Sequence, residues 1–176
     1  MNQPNTVAPL SFPQAIADTN SLIAKIAENQ ISETEIESNI ACFLGTIKSA
    51  RGFFVGYLTS ELAVSDNPSS GVIKGLQSSP EIASDLLVKN LAMCTAMALF
   101  HRRNGDLKMA SSSEQVQSRT INLIQKLNSD LVTQKLQELE DTLDNKSDIY
   151  QKFLNSQNYD EQQKAEIKNI IGLQNS

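Results

Sequence analysis

The chain has 176 residues with 15 basic and 20 acidic side chains, a formal net charge of −5, which suits one domain and disfavours general nucleic-acid binding, since a phosphate backbone needs a basic face. Tryptophan is absent and aromatic residues make up 5%, so nothing points to a stacking platform for bases or sugars. Cys42 and Cys94 have no partner at metal-ligand spacing and read as buried free thiols, with a reducing cytoplasm as the default compartment.

Residues 1–10 mix Asn, Gln, Pro and Thr without periodicity and read as a flexible N-terminal tail ahead of a helical domain over 11–173. Ser11 stands three residues before Gln14, with Pro13 in the first turn, a capping-box signature. Phe12, Ile16, Thr19, Ile23 and Ile26 then recur three and four apart, the stripe of an amphipathic helix ending near Asn29. Ser32 and Glu35 form a second capping box. The next stripe, Ile36, Ile40, Phe43, Ile47, Ala50, Phe54 and Tyr57, keeps its phase through Gly52 and Gly56. One long helix over 33–63 is expected, bent at Arg51-Gly52 because a helical glycine costs about 1 kcal/mol relative to alanine. A strand over 53–58 is the competing reading.

Residues 65–70 have loop chemistry, and Val72, Ile73 and Leu76 mark a short helix. Ser79-Pro80 opens the most apolar segment, Ile82 to Phe100, which is expected to form the central helix near 80–104. Its run from Leu86 to Phe100 carries Lys89 and Asn90 and is too short to span a bilayer. His101, Arg102 and Arg103 fill the last turn, and Asn104-Gly105 stops it. Ser111, Ser112, Ser113 and Glu114 open the next helix, whose stripe is Val116, Thr120, Leu123 and Leu127. Asn128-Ser129-Asp130 kinks it before Leu131, Val132, Leu136, Leu139 and Leu143 resume. Shorter helices are expected near 148–155 and 160–171. The predicted fold is an all-α, single-domain bundle of about five to seven helices.

Two places carry candidate chemistry. Where one helix ends in cations and another begins with hydroxyls, Arg102, Arg103, Ser111, Ser112, Ser113 and Arg119 make a candidate anion site, since a helix N-terminus offers unpaired N–H groups and partial positive charge. The bland alternative is that the arginines offset the helix dipole and the serines cap. Phe53, Phe54 and Tyr57, beside the small-xxx-small pair Gly52 and Gly56, form with Met93 and Met97 a candidate groove for a partner or an apolar ligand. Close approach of a neighbouring helix is the structural alternative for the glycines. Only residues 51–110 are net basic, at +1, so a local positive patch is expected there and nowhere else.

Other features read as structural. His101 is the only histidine, and it lies two turns from Cys94, roughly 10 Å along a helix axis, too far for a thiol–imidazole pair. Glu138, Glu140, Asp141, Asp144 and Asp148 lack the spacing of a calcium loop and read as a solvated face.

The stretches 49–59, 66–69 and 88–97, with His101, Arg102 and Arg103, resemble small uncharacterised conserved helical proteins of cyanobacteria over residues 33–128. The resemblance implies a bacterial cytosolic origin and brings no activity, cofactor or site residue with it. The expected function is a non-enzymatic helical protein–protein interaction module, an adaptor or regulator, with any surplus apolar stripe buried against a partner protein or a second copy. The alternative is a helical ligand-binding domain holding an apolar cofactor or pigment in the groove, or an anion at the 102–113 helix junction.

Overall fold

The computed structural model describes residues 10–174; residues 1–9, which hold nearly all of the expected tail, lie outside the described residues. Among the described residues the chain forms nine α-helices and no strand. They are α1 (Phe12–Ala27), α2 (Glu33–Phe43), α3 (Ile47–Thr59), α4 (Ser70–Gln77), α5 (Pro80–Arg103), α6 (Leu107–Leu127), α7 (Asp130–Leu143), α8 (Gln151–Gln157) and α9 (Glu161–Gln174), with a 3-10 turn at Ala63–Asp66. The class is the all-α one that the spacing predicts. The count exceeds five to seven because two stripes that look continuous in sequence are broken in space.

The first break replaces the long helix expected over 33–63. Residues 44–46 separate α2 from α3, the chain passes Gly52 within one unbroken helix, and the strand reading of 53–58 gives way to α3. Thr46 makes the break. Its backbone is extended, at φ −140° and ψ 152°, and its hydroxyl accepts the Ser49 N–H at 3.2 Å, so a helix N-cap sits inside the apolar stripe. Ser49 Oγ donates back to Phe43 O at 2.5 Å and ties the two helix ends together. The second break is at Asn128, which adopts a left-handed conformation at φ 43° and separates α6 from α7 outright instead of kinking one helix. Asn29, Asn145 and Asn158, just beyond α1, α7 and α8, do the same at φ 55°, 58° and 52°. Asparagine tolerates this region because its short amide can bond locally.

The helix starts are partly as the capping residues announce. Ser32 and Glu35 form the full box, with Ser32 N–H donating to Glu35 Oε2 at 3.0 Å and Glu35 N–H to Ser32 Oγ at 3.3 Å. Ser11 caps α1 by accepting the Gln14 N–H, but the Gln14 amide turns forward to Asp18 instead of closing a box.

Helix α5 is the hub, packed against α3, α4, α6, α7 and α9. At 24 residues, with a window of mean hydropathy 1.4, it is by length and composition alone apolar enough to cross a membrane, which the sequence reading of 86–100 did not allow; 61% of that window is buried inside the protein. Phe53 anchors the core on α3. Its ring stacks on Phe43 at 5.8 Å between centroids and meets Phe54 and Tyr57 at 5.2 and 5.6 Å. Helix α1 closes on α3 through the glycines: a Cβ on Gly52 would lie 2.6 Å from Ala15 Cβ and 2.7 Å from Phe12 O, and one on Gly56 would lie 2.9 Å from Thr19 Cβ. These are separations that side chains do not adopt, so the α1–α3 seam depends on both residues having none. Gly71 and Gly75 let α4 approach α2 in the same way.

The cysteines differ from each other. Cys94 is buried, donates to Leu91 O at 3.3 Å, and has its thiol pushed up to about 12 by burial. Cys42 is exposed, against expectation. Ile36, Ile40 and Phe43 define the inward face of α2, and residue 42 falls off it.

Candidate functional site

Helices α3 and α5 each bury one face and leave another open. On α3, Ile47, Arg51 and Val55 follow at intervals of four and turn outward, leaving Ile47 63% and Val55 40% exposed. On α5, Leu86, Asn90, Met93, Met97 and Phe100 follow at steps of four and three and form one ridge, whose last three members are each about two-fifths exposed or more. Large apolar side chains at helical spacing facing solvent are the informative kind of exposure.

Where these open faces meet α8 they enclose a groove of about 600 Å³ with a mainly apolar surface. Phe54 and Leu86, themselves buried, form its floor. Phe12 and Val55 flank it on one side, and Ile149, Tyr150 and Phe153 on the other, with Met93 between them. Tyr150 and Phe153 meet edge to face at 6.4 Å. Residue 150 is buried because its ring packs on α5, and its N–H donates to Thr142 Oγ1 at 3.3 Å, which anchors the segment entering α8 to α7.

The charges around this groove are unlike those of the whole chain. Its lining includes Arg51, Lys89, Lys135 and Lys152 against a single carboxylate, Asp85. Two of the four cations are committed: Lys89 pairs with Asp85 at 2.7 Å, and Lys135 with Glu81 at 3.2 Å. The Lys89 ammonium also sits 5.8 and 5.9 Å from the ring centroids of Tyr150 and Phe153. The other Asp85 oxygen accepts the Tyr150 hydroxyl at 3.2 Å. Burial and the Asp85 carboxylate hold the Tyr150 phenol well above its ordinary range, so it stays protonated and donates. Arg51, 6.0 Å from the centroid of the Phe12 ring, and Lys152 have no carboxylate partner among the described residues.

Of the five residues expected to form an apolar groove, Phe54 and Met93 line this one. Met97 continues the exposed ridge one turn beyond, whereas Phe53 and Tyr57 belong to the core at 0% and 2% exposure. The face beside Gly52 and Gly56 is occupied by α1 of the same chain, so the structural alternative holds there. Sequence reasoning missed Arg51, Lys89, Tyr150, Lys152 and Phe153. Their signal is long-range: α8 lies some 60 residues downstream of α5 and has no stripe of its own long enough to read.

The residues of the expected anion site are not gathered into one. Helix α6 begins at Leu107, capped by Asp106, whose side chain accepts the Met109 N–H at 3.0 Å. Ala110 N–H already donates to Asp106 O, so the N–H groups of Ser111, Ser112 and Ser113 lie inside the helix ladder and offer nothing to an anion. Ser112 Oγ donates to Lys108 O at 3.1 Å. Each arginine goes to a different carboxylate. Arg102 pairs with Glu114, and Arg103 with Asp160 at 2.6 Å and the Gln162 amide oxygen. Arg119 is 2% exposed and donates to Asp66 Oδ1 at 2.6 Å and to the carbonyls of Leu58 and Ser60 at 3.0 and 2.6 Å. It fastens α6 to the end of α3. Asp106 is the signal that was overlooked: an aspartate three residues before Met109 is as good a cap as the serines that follow.

The acidic stretch of α7 finds local partners, Glu138 accepting from Gln134, and Asp144 from Lys146 and Lys168. Among the described residues no three His, Cys, Asp or Glu side chains gather closely enough to hold a metal ion.

Comparison with known proteins adds one relationship. No curated protein and no solved structure matches the chain. One family model does, over residues 11–173, and that span takes in all nine helices but the last residue of α9. The chain therefore belongs to the family described as uncharacterised conserved protein UCP020893.

Proposed function

We propose that this chain is a non-enzymatic helical interaction module, an adaptor or regulator of a bacterial, cyanobacterial cytoplasm, that holds another protein in the groove between α3, α5 and α8. One observation supports this reading: a ridge of Met93, Met97 and Phe100 on the central helix, running out of a groove with an apolar floor, is left exposed among the described residues. Methionines suit such a surface because an unbranched, polarizable side chain adapts to its partner. The polar groups within the groove favour binding over chemistry. Asp85, Lys89 and Tyr150 satisfy one another, and a phenol held protonated is a poor general base.

The test is a photo-crosslinking amino acid placed at Met93 in the native host, with one at Lys74 on α4 as control, since α4 contributes nothing to the groove. A discrete protein adduct from position 93 and none from 74 is the expected result. Equal labelling from both positions, or none from either, contradicts it.

A second reading has its own support. A groove of about 600 Å³ falls within the range of small-molecule sites, and an apolar cofactor or pigment would fit between Phe54, Met93 and Phe153. Colour, or a ligand extracted from natively purified protein, distinguishes this reading from the first.

A further inference from the structure

We propose, resting on that binding-module reading, that the groove's occupant is an amphipathic helix of a partner protein with an apolar face flanked by acidic residues. The shape sets the element. The ridge from Leu86 to Phe100 runs about 21 Å at 1.5 Å per residue, the length of a helix of about four turns, and its residues at steps of four and three complement the i, i+3, i+4, i+7 anchors that such a helix presents. An extended segment would instead seek unpaired strand edges, and among the described residues there is no strand.

The charge sets the flanks. Arg51 reaches the groove from α3 and Lys152 from α8, and among the described residues neither has a carboxylate partner, so the groove lining carries an unpaired cation from each of these helices. Lys89 and Lys135 are neutralised by Asp85 and Glu81, leaving the groove net positive on a chain whose overall charge is −5. An occupant with carboxylates on both edges of its apolar face pairs with both cations; one with basic edges meets two uncompensated like charges. The chain's own residues 1–9 contain no Asp or Glu and do not supply such edges.

The experiment uses the full chain and two fluorescent peptides of about 20 residues with the same leucine face, one flanked by Glu and one by Lys. Fluorescence anisotropy should show the Glu peptide binding about tenfold tighter or more, with a preference that shrinks as salt rises. In the double variant Arg51→Glu/Lys152→Glu, whose positions are both exposed, the preference should vanish or invert while circular dichroism stays that of the parent. Equal affinity for the two peptides, tighter binding of the Lys peptide, or no binding of either overturns the proposal. So does light scattering that shows the groove closed by a second copy, or dodecanoate displacing the peptide as the tighter occupant. A crosslinked partner whose contact segment is neutral or basic ends this inference and leaves the binding-module reading intact; absence of any protein adduct ends both.

Discussion

Helix α3 has two sides that behave oppositely. Along one, Gly52 and Gly56 let α1 come so close that a single added methyl would collide with Ala15 or Thr19. Along the other, Ile47, Arg51 and Val55 face a groove that the described residues leave open. What distinguishes a structural seam from a binding surface here is the size of the side chain at the contact, since both faces carry the same helical spacing.

Substitutions should separate the two sides. The largest loss is expected at the core ring of α3: Phe53→Ala should cost about 3–5 kcal/mol in denaturant unfolding, the usual range for emptying a buried aromatic site. Next come the seam glycines. Gly52→Val or Gly56→Val should destabilise by roughly 1–3 kcal/mol, because the colliding atoms include backbone that cannot retreat. Gly52→Ala should also lose stability despite its better helix propensity, and an increase would show that the seam has slack. On the open side, Met93→Ala and Arg51→Ala should change stability by no more than about 0.5 kcal/mol, as exposed substitutions do. A large loss there would mean that the groove is part of the core.

Much of this architecture is legible in the sequence, and the failures have physical causes. Stripes at steps of three and four run through α1, α2, α3, α6 and α7, and Ser32 with Glu35 marks the start of α2 correctly. Periodicity does not see Thr46, because the loop between α2 and α3 preserves the phase of the stripe on either side. Nor does it place Asn128, whose left-handed backbone is a choice made by one amide. The groove is half legible: Phe54 and Met93 announce themselves as apolar, but Tyr150 and Phe153 arrive by tertiary packing of a helix of seven residues. The candidate anion site fails through a four-residue error in one helix start, which was enough to move three serines from donors at a terminus to the interior of a helix.

Smaller effects sharpen the contrast. A thiol reagent at pH 8 should label one cysteine per native chain, the exposed Cys42, and two once the chain is unfolded, since Cys94 is buried with its thiol pushed up to about 12. Rapid labelling of both in the native state would place the Cys94 face of α5 outside the seal. The smallest effect is a pH dependence at the second glycine seam. Glu33 accepts the Gly71 N–H, and that bond holds its carboxyl below the ordinary value of 4.5. Its stabilising contribution is full above pH 4.5 and is lost as pH falls through the lower folded-state value. Glu33→Gln should lower the neutral plateau slightly and leave the stability below the folded-state value almost unchanged, so the profile flattens across that acid range.

The methyl groups of methionine report on the open side directly. With methyl-labelled methionine, addition of the acidic peptide should shift the NMR resonances of Met93 and Met97 on the groove ridge and leave Met109 of α6 in place. Shifts at Met109 alone, or at none of the three, would contradict the assignment of the α3–α5–α8 groove as the binding surface.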